Sequence, residues 1–417
     1  MTSTPAAPSD AVPTAVCTHC GTTVPAADFC GCCGLEMDRP ADDPLAFVRP
    51  RVYAAAPRER LLLPMVTSTL FPQLPHIYRN PFRIGMAVML LCVVGFSAAR
   101  FLGPLVTLVA LGVPSLFVLY LWQSDVLRDI PARVFATAAV LGAALGVGWI
   151  LLSGELIARS YGIPMAAGFV LENLIGAGLI ISVGGAILMV MPAVVVRALR
   201  PPTREALDGF AIGALGALSF TGAATTTRLA PQFVYGLIDN VQPLRLLIEA
   251  VLYGVVAPLT AAAVGGLMGI VLWFQAGGRA GEHPGKVRVA LLLFTVLVLV
   301  IYAAIWVIDA ARLPKWPQLG LHILMTVVAL ISARICLQLA SLHEQPDPYS
   351  GEPLLCVHCE HVVPDMAFCP ACGAAARASS RSSRRRRRES PPTRKDTSPG
   401  LAYDSHRSPV PGEESRD

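Results

Sequence analysis

Between residues 84 and 340 the chain is a succession of long apolar runs, and this feature leaves few folds open. Eight runs are read, near 84–99, 102–122, 134–153, 173–196, 208–227, 250–274, 289–308 and 318–336. Each is close to the roughly 20 residues a helix needs to cross the hydrocarbon core of a bilayer. Inside lipid every backbone N–H and C=O must be paired within its own segment, so such runs become helices. The reading is an all-α multi-pass membrane protein of about 8 transmembrane helices, with a small module at each end. Composition supports this. Hydrophobic residues make up 54% and charged residues 15%, against about 25% charged in soluble domains. That disfavours a soluble enzyme, a fibrous protein and a wholly disordered chain together. Pro192 falls inside the fourth run and is expected to kink it.

Lys and Arg set the expected orientation. Arg49, Arg51, Arg58, Arg60, Arg79 and Arg83 precede the first run. Alternate loops carry Arg128, Arg133, Arg197, Arg200, Arg204, Arg279, Lys286 and Arg288; the opposite loops carry Arg100, Arg159, Arg228, Arg245, Arg312 and Lys315. That is 8 against 6. Both ends of the chain are Arg-rich, so both are expected in the cytoplasm, which requires an even number of spans. The first 40 residues lack a basic start followed by an apolar run, so no cleavable signal peptide is expected. The expected location is the cell (inner) membrane. Ala/Gly/Arg/Pro-rich usage points to a bacterial chain.

Nine of the 11 cysteines lie outside the apolar zone, in two matched clusters. One holds Cys17, Cys20, Cys30 and Cys33, and the other Cys356, Cys359, Cys369 and Cys372. Both have two CxxC pairs separated by nine residues, a Val-Pro pair between them (Val24-Pro25, Val363-Pro364), Phe before the third cysteine (Phe29, Phe368) and Gly after the last (Gly34, Gly373). Each CxxC turn aims two thiolates at one point, and two turns close a tetrahedral site with no place left for water. Such a site is structural and non-catalytic. A segment of about 20 residues has no core of its own, so metal would supply most of its folding energy. The motif resembles the zinc-ribbon family of four-cysteine modules, which implies two structural Zn2+ sites. Disulfides are the competing reading; a cytoplasmic location argues against them. Cys32 is an extra thiol read as incidental, and Cys92 and Cys336 are read as core residues.

Three stretches of the apolar zone resemble the PrsW family of intramembrane metalloproteases. They are Val113 to Trp122 (VPSLFVLYLW) with Asp125, Asp208 to Phe220 (DGFAIGALGALSF), and Ala257 to Gly269 (APLTAAAVGGLMG). The family's metal-binding positions are lost. Its EExxK motif falls on Pro192 to Arg197, its FxxxE on Phe220 to Ala224, and its metal-binding His on Ala257. The resemblance therefore implies a protease scaffold without its catalytic metal. On the residues alone, Gly209, Gly213, Gly216, Gly222, Gly265, Gly266 and Gly269 form small-residue faces of the kind that let helices approach closely in lipid. Glu172, Glu249 and His322 are the ionisable residues nearest the apolar runs and are noted as candidate intramembrane polar sites. They lack any metal-motif spacing.

The expected domains are a disordered 1–15, an N-terminal ribbon at 16–36, a linker at 37–83, the membrane domain at 84–340, a linker at 341–354, a C-terminal ribbon at 355–375, and a disordered Arg/Ser/Pro-rich tail at 376–417. Arg384, Arg385, Arg386, Arg387 and Arg388 form a basic patch expected to meet anionic lipid headgroups. No aromatic residues interleave with these arginines, which argues against nucleic acid. Ser390-Pro391, Ser398-Pro399 and Ser408-Pro409 offer phosphorylation sites. The functional expectation is a non-enzymatic scaffold or sensor whose ribbons recruit a cytoplasmic protein or pair with each other. The alternatives are an intramembrane zinc metallopeptidase with unorthodox ligands and, more weakly, a transporter, for which paired intramembrane charges are missing.

Overall fold

The computed structural model describes residues 13–18, 20–38, 69–72, 76–161, 171–202, 205–233, 242–276, 284–310, 314–344, 353–356, 359, 361–376 and 379–389. Two-stranded hairpins sit at both ends: β1 (Thr14–Val16) with β2 (Thr23–Pro25), and β3 (Leu354–Leu355) with β4 (Val362–Val363). Between them run α1 (His76–Ala99), α2 (Leu102–Gln123), the short α3 (Val126–Asp129), α4 (Ala132–Tyr161), α5 (Leu171–Ala198), α6 (Ala206–Leu229), α7 (Pro243–Val251), α8 (Ala257–Trp273), α9 (Pro284–Ala310) and α10 (Lys315–His343). A last helix, α11, spans Arg381–Glu389. Among the described residues, eight helical segments are long and apolar enough to cross a membrane. They match the eight runs read from the sequence, with ends shifted by up to seven residues. One span, Pro243–Trp273, joins α7 and α8 through a single π-helical turn at Leu252–Val256. α5 continues through Pro192, whose ring packs towards Gly216.

α6 is the central helix: 89% of its most apolar stretch is buried inside the protein. Its glycines explain why. Any Cβ added at Gly209 or Gly213 would collide with the carbonyls of Gly269 and Gly265 on α8, and the reverse holds for α8. The pairing 209–269 and 213–265 runs antiparallel. On the α4 side, Gly142 and Gly146 lie against the carbonyls of Gly216 and Phe220, a parallel pairing. Lipid tails are as apolar as leucine, so helices in a bilayer associate through close packing rather than hydrophobic burial. α6 has the small residues to be approached from both sides.

The end of the bundle near α3 and the start of α6 gathers both terminal modules. Glu344, just past α10, accepts a hydrogen bond from the Ala206 N–H at 2.7 Å. It thereby satisfies one of the four unpaired N–H groups at the start of α6. Arg381 pairs with Asp208 at 2.7 Å, and Arg384 with Glu205 at 2.5 Å. The Arg128, Arg133, Arg197 and Arg200 loops lie at this same end. The remaining stretches of 1–15, of both linkers and of the tail past Glu389 lie outside the described residues.

Candidate metal centres and the surfaces around them

Each CxxC turn folds by the same backbone rule. The N–H of the first cysteine bonds the carbonyl five residues on: Cys17 to Thr22 at 3.0 Å, Cys30 to Leu35 at 2.7 Å, Cys356 to His361 at 2.8 Å and Cys369 to Ala374 at 2.9 Å. The glycine at the turn's fourth following position donates back to the cysteine carbonyl: Gly21 to Cys17, Gly34 to Cys30 and Gly373 to Cys369. These three glycines have φ of +67°, +73° and +69°, a region costly for any residue with a Cβ.

The turns bring together the two groups of four cysteines named from the sequence, and in each the four Sγ atoms lie within 4.8 Å of one another. Cys17 and Cys33 are 3.7 Å apart, Cys20 and Cys30 3.8 Å, Cys356 and Cys372 3.8 Å, and Cys359 and Cys369 3.8 Å. A disulfide needs about 2.05 Å, so all are free thiols. A tetrahedral centre with metal–sulfur bonds of about 2.3 Å places its sulfurs about 3.8 Å apart, and these distances fit it. Cys32 stands outside the four-thiol group and packs at the edge of the N-terminal ribbon's small core. Cys336 is buried in α10.

One thiol per cluster ionises easily. Burial pushes Cys20 up, but hydrogen bonds from Thr22 and the neighbouring thiols outweigh it and hold Cys20 at about 6. Contact with Cys356 raises Cys359, while Cys369 and Cys372 pull it down further, to about 7. Burial lifts Cys30 to about 11. Metal binding would complete the deprotonation.

The two ribbons touch. The Phe29 N–H donates to the Pro370 carbonyl at 3.0 Å, and the Phe368 N–H to the Gly31 carbonyl at 2.9 Å. A Cβ on Gly34 would stand 2.7 Å from the Phe368 ring, and one on Gly373 2.8 Å from the Phe29 ring. The contact is therefore reciprocal: each ribbon offers a phenyl knob and a glycine notch to the other. The sequence shows both residues in each copy but not the contact between them. The repetition of Phe with Gly in both copies was the signal available.

α11 differs from the disordered chain expected of residues 381–389. Ser380 caps it, its hydroxyl accepting from the Ser383 N–H at 3.3 Å. Arginine is a good helix former, but like charges a turn apart repel, so the helix needs anions. It has them. Beyond the Arg381 and Arg384 pairs, Arg386 reaches Asp125 at 3.0 Å, the Ser382 N–H donates to Asp129 at 2.9 Å, and Arg388 meets Asp365 at 2.8 Å. Arg387 donates to the Leu355 carbonyl. Arg385 points to the exterior. Of the five arginines in the basic patch, four thus contact protein, and α11 straps the C-terminal ribbon to the bundle.

Of the candidate intramembrane polar residues, Glu249 and His322 have described side chains. Glu249 pairs with Arg245 at 3.4 Å and Lys315 at 3.3 Å. Glu172 lies in the first turn of α5, and its side chain is outside the described residues. His322 is buried on the wall of a cavity of about 70 Å³, whose lining includes Phe220, Thr221, Ala224, Ala257 and Thr260. Two of the PrsW-like positions, Ala224 and Ala257, therefore share a cavity. The third does not. Arg197, at the end of the EExxK-like stretch, lies over the Trp273 ring at 5.4 Å. Among the described residues the only groups able to hold a metal are the two cysteine clusters. No family model, no curated protein and no solved structure matches the chain. The PrsW resemblance accordingly rests on the quoted residues alone.

Proposed function

We propose that this is a non-enzymatic multi-pass protein of the cell membrane, a scaffold or sensor that presents two structural zinc ribbons, joined as one module, on the cytoplasmic side. The carrying observation is the pair of four-cysteine sites held face to face at one end of the bundle. Zinc suits four thiolates in a tetrahedron, and with no open position it supplies folding energy rather than chemistry. The rigid ribbon pair would recruit a cytoplasmic protein partner, and Arg385 would face anionic headgroups. The location of the more basic loops at the ribbon end supports a cytoplasmic orientation. Under the PrsW resemblance the core is a pseudoprotease. The apolar residues at the aligned ligand positions support a membrane core without a catalytic metal.

Metal content tests this. Protein purified in detergent should hold two zinc ions per chain, and Cys17→Ser with Cys356→Ser should remove both. A third ion that survives those changes and is lost with His322→Ala would overturn the reading in favour of a metallopeptidase. Topology reporters fused to each terminus should be active only in the cytoplasm; a periplasmic signal at either end would overturn the orientation.

A further inference from the structure

The hydrogen bonds and phenyl contacts that join the ribbons are made by residues in the metal-ligating knuckles; Met366 also packs against Gly31. Phe29 and Gly31 flank Cys30, and Phe368 and Pro370 flank Cys369. Both cross-ribbon hydrogen bonds and both knob-in-notch contacts come from the second knuckle of each ribbon. A knuckle not closed around an ion would lack the four-sulfur constraint that fixes its carbonyl at Gly31 or Pro370 and its glycine at positive φ. A ribbon of about 20 residues has almost no other core. Buried Val24 and Val363 are the main aliphatic side chains inside the small clusters. Whichever ribbon closes first therefore presents a finished docking face to the second.

We propose that the two sites load cooperatively, metal in one ribbon raising the affinity of the other through the Phe29–Gly373 and Phe368–Gly34 contacts. This rests on the reading that both clusters hold metal. Coupling between binding sites is reciprocal by thermodynamic necessity, so each site must assist the other by the same factor. The C-terminal ribbon loads first, because Arg387 and Arg388 tie it to α11, and α11 is tied to Glu205 and Asp208. The N-terminal ribbon then closes against it.

The experiment uses the full chain in detergent, stripped by a chelator and titrated with Co2+, whose thiolate bands report each occupied site. Two ions should bind with sigmoidal loading. Cys356→Ser with Cys372→Ser should weaken the N-terminal site at least tenfold, and Cys17→Ser with Cys33→Ser should weaken the C-terminal site by a comparable factor. Phe29→Ala with Phe368→Ala retains all eight cysteines; it should still bind two ions, but without cooperativity. Far-UV circular dichroism of each variant checks that the helical bundle is intact. An unchanged N-terminal affinity in the Cys356/Cys372 variant, or cooperative loading in the double Phe variant, would overturn the proposal. Wild-type protein that binds fewer than two ions would instead overturn the metal assignment beneath it.

Discussion

Gly34 and Gly373 lie against phenyl rings, whereas Gly209, Gly213, Gly265 and Gly269 lie against backbone carbonyls of a neighbouring helix. The missing Cβ serves two kinds of cohesion. In the ribbons it makes a notch for one side chain, in a turn that brings two of the four cysteine sulfurs to a common centre. In the bundle it brings two helix backbones together along two turns, in a solvent where hydrophobic burial between helices counts for little. On the proposed metal reading, the ribbons depend on a ligand and the bundle on shape. Treatments that attack one should spare the other.

Metal removal should have the largest effect. Structural zinc sites of this type carry apparent binding free energies of roughly 10–16 kcal/mol at neutral pH, which is folding free energy for the module that binds them. Chelation should make residues 14–38 and 353–376 sensitive to protease while far-UV circular dichroism of the bundle is retained. Loss of helical signal on chelation would erase the distinction between the two regions.

The strap between them comes next. Glu205 and Arg384 are both buried and 2.5 Å apart. Removing one partner of such a pair leaves a desolvated charge, at a cost of about 3–5 kcal/mol. Glu205→Ala should release α11, seen as new tryptic cleavage among Arg384–Arg388. An α11 that stays protected in Glu205→Ala would place its anchorage elsewhere.

These contacts also mark what could be read in advance. The eight spans were legible because an apolar run of fixed length is a local property, and the eight cysteines because a CxxC turn is one. The helix at Arg381–Glu389 was not. Its own composition argues against order, and its structure depends on Glu205, 179 residues from Arg384. Lys and Arg set the expected topology, whereas Asp129 and Glu205 have no role in the sequence and Asp125 and Asp208 enter only through the PrsW-like stretches, although a cluster of acids at the basic end of a membrane protein calls for cations. The Phe and Gly of each ribbon were visible as repeated letters, but only the three-dimensional pairing shows that the knob of one copy fits the notch of the other. The Glu172, Glu249 and His322 grouping had no shared spacing, and for Glu249 the structure supplies ion pairs with Arg245 and Lys315 instead.

A smaller effect is expected inside the bundle. Gly213→Val would drive a branched side chain into the Gly265 carbonyl. Overpacking of this kind costs typically 1–3 kcal/mol. The thermal transition of the bundle should fall while metal content stays at two ions per chain; a loss of metal would mean that α6 packing reaches the ribbons.

The smallest expected effect tests whether the bundle is held by shape rather than by polar contacts. The Thr260 and Thr326 hydroxyls are 2.7 Å apart, between α8 and α10, and both are buried. Each also donates within its own helix, Thr260 to the Val256 carbonyl in the π turn and Thr326 to the His322 carbonyl. A hydroxyl has one proton, so the bond across the helices competes with the bond along each helix. Side-chain hydrogen bonds between membrane helices average about 0.6 kcal/mol in double-mutant cycles. Thr260→Val and Thr326→Val, alone and together, should give a coupling of that order in unfolding from mixed micelles. A coupling well above the loss caused by Gly213→Val would make this polar contact, and not the glycine packing of α6 on α8, the stronger bond between helices here.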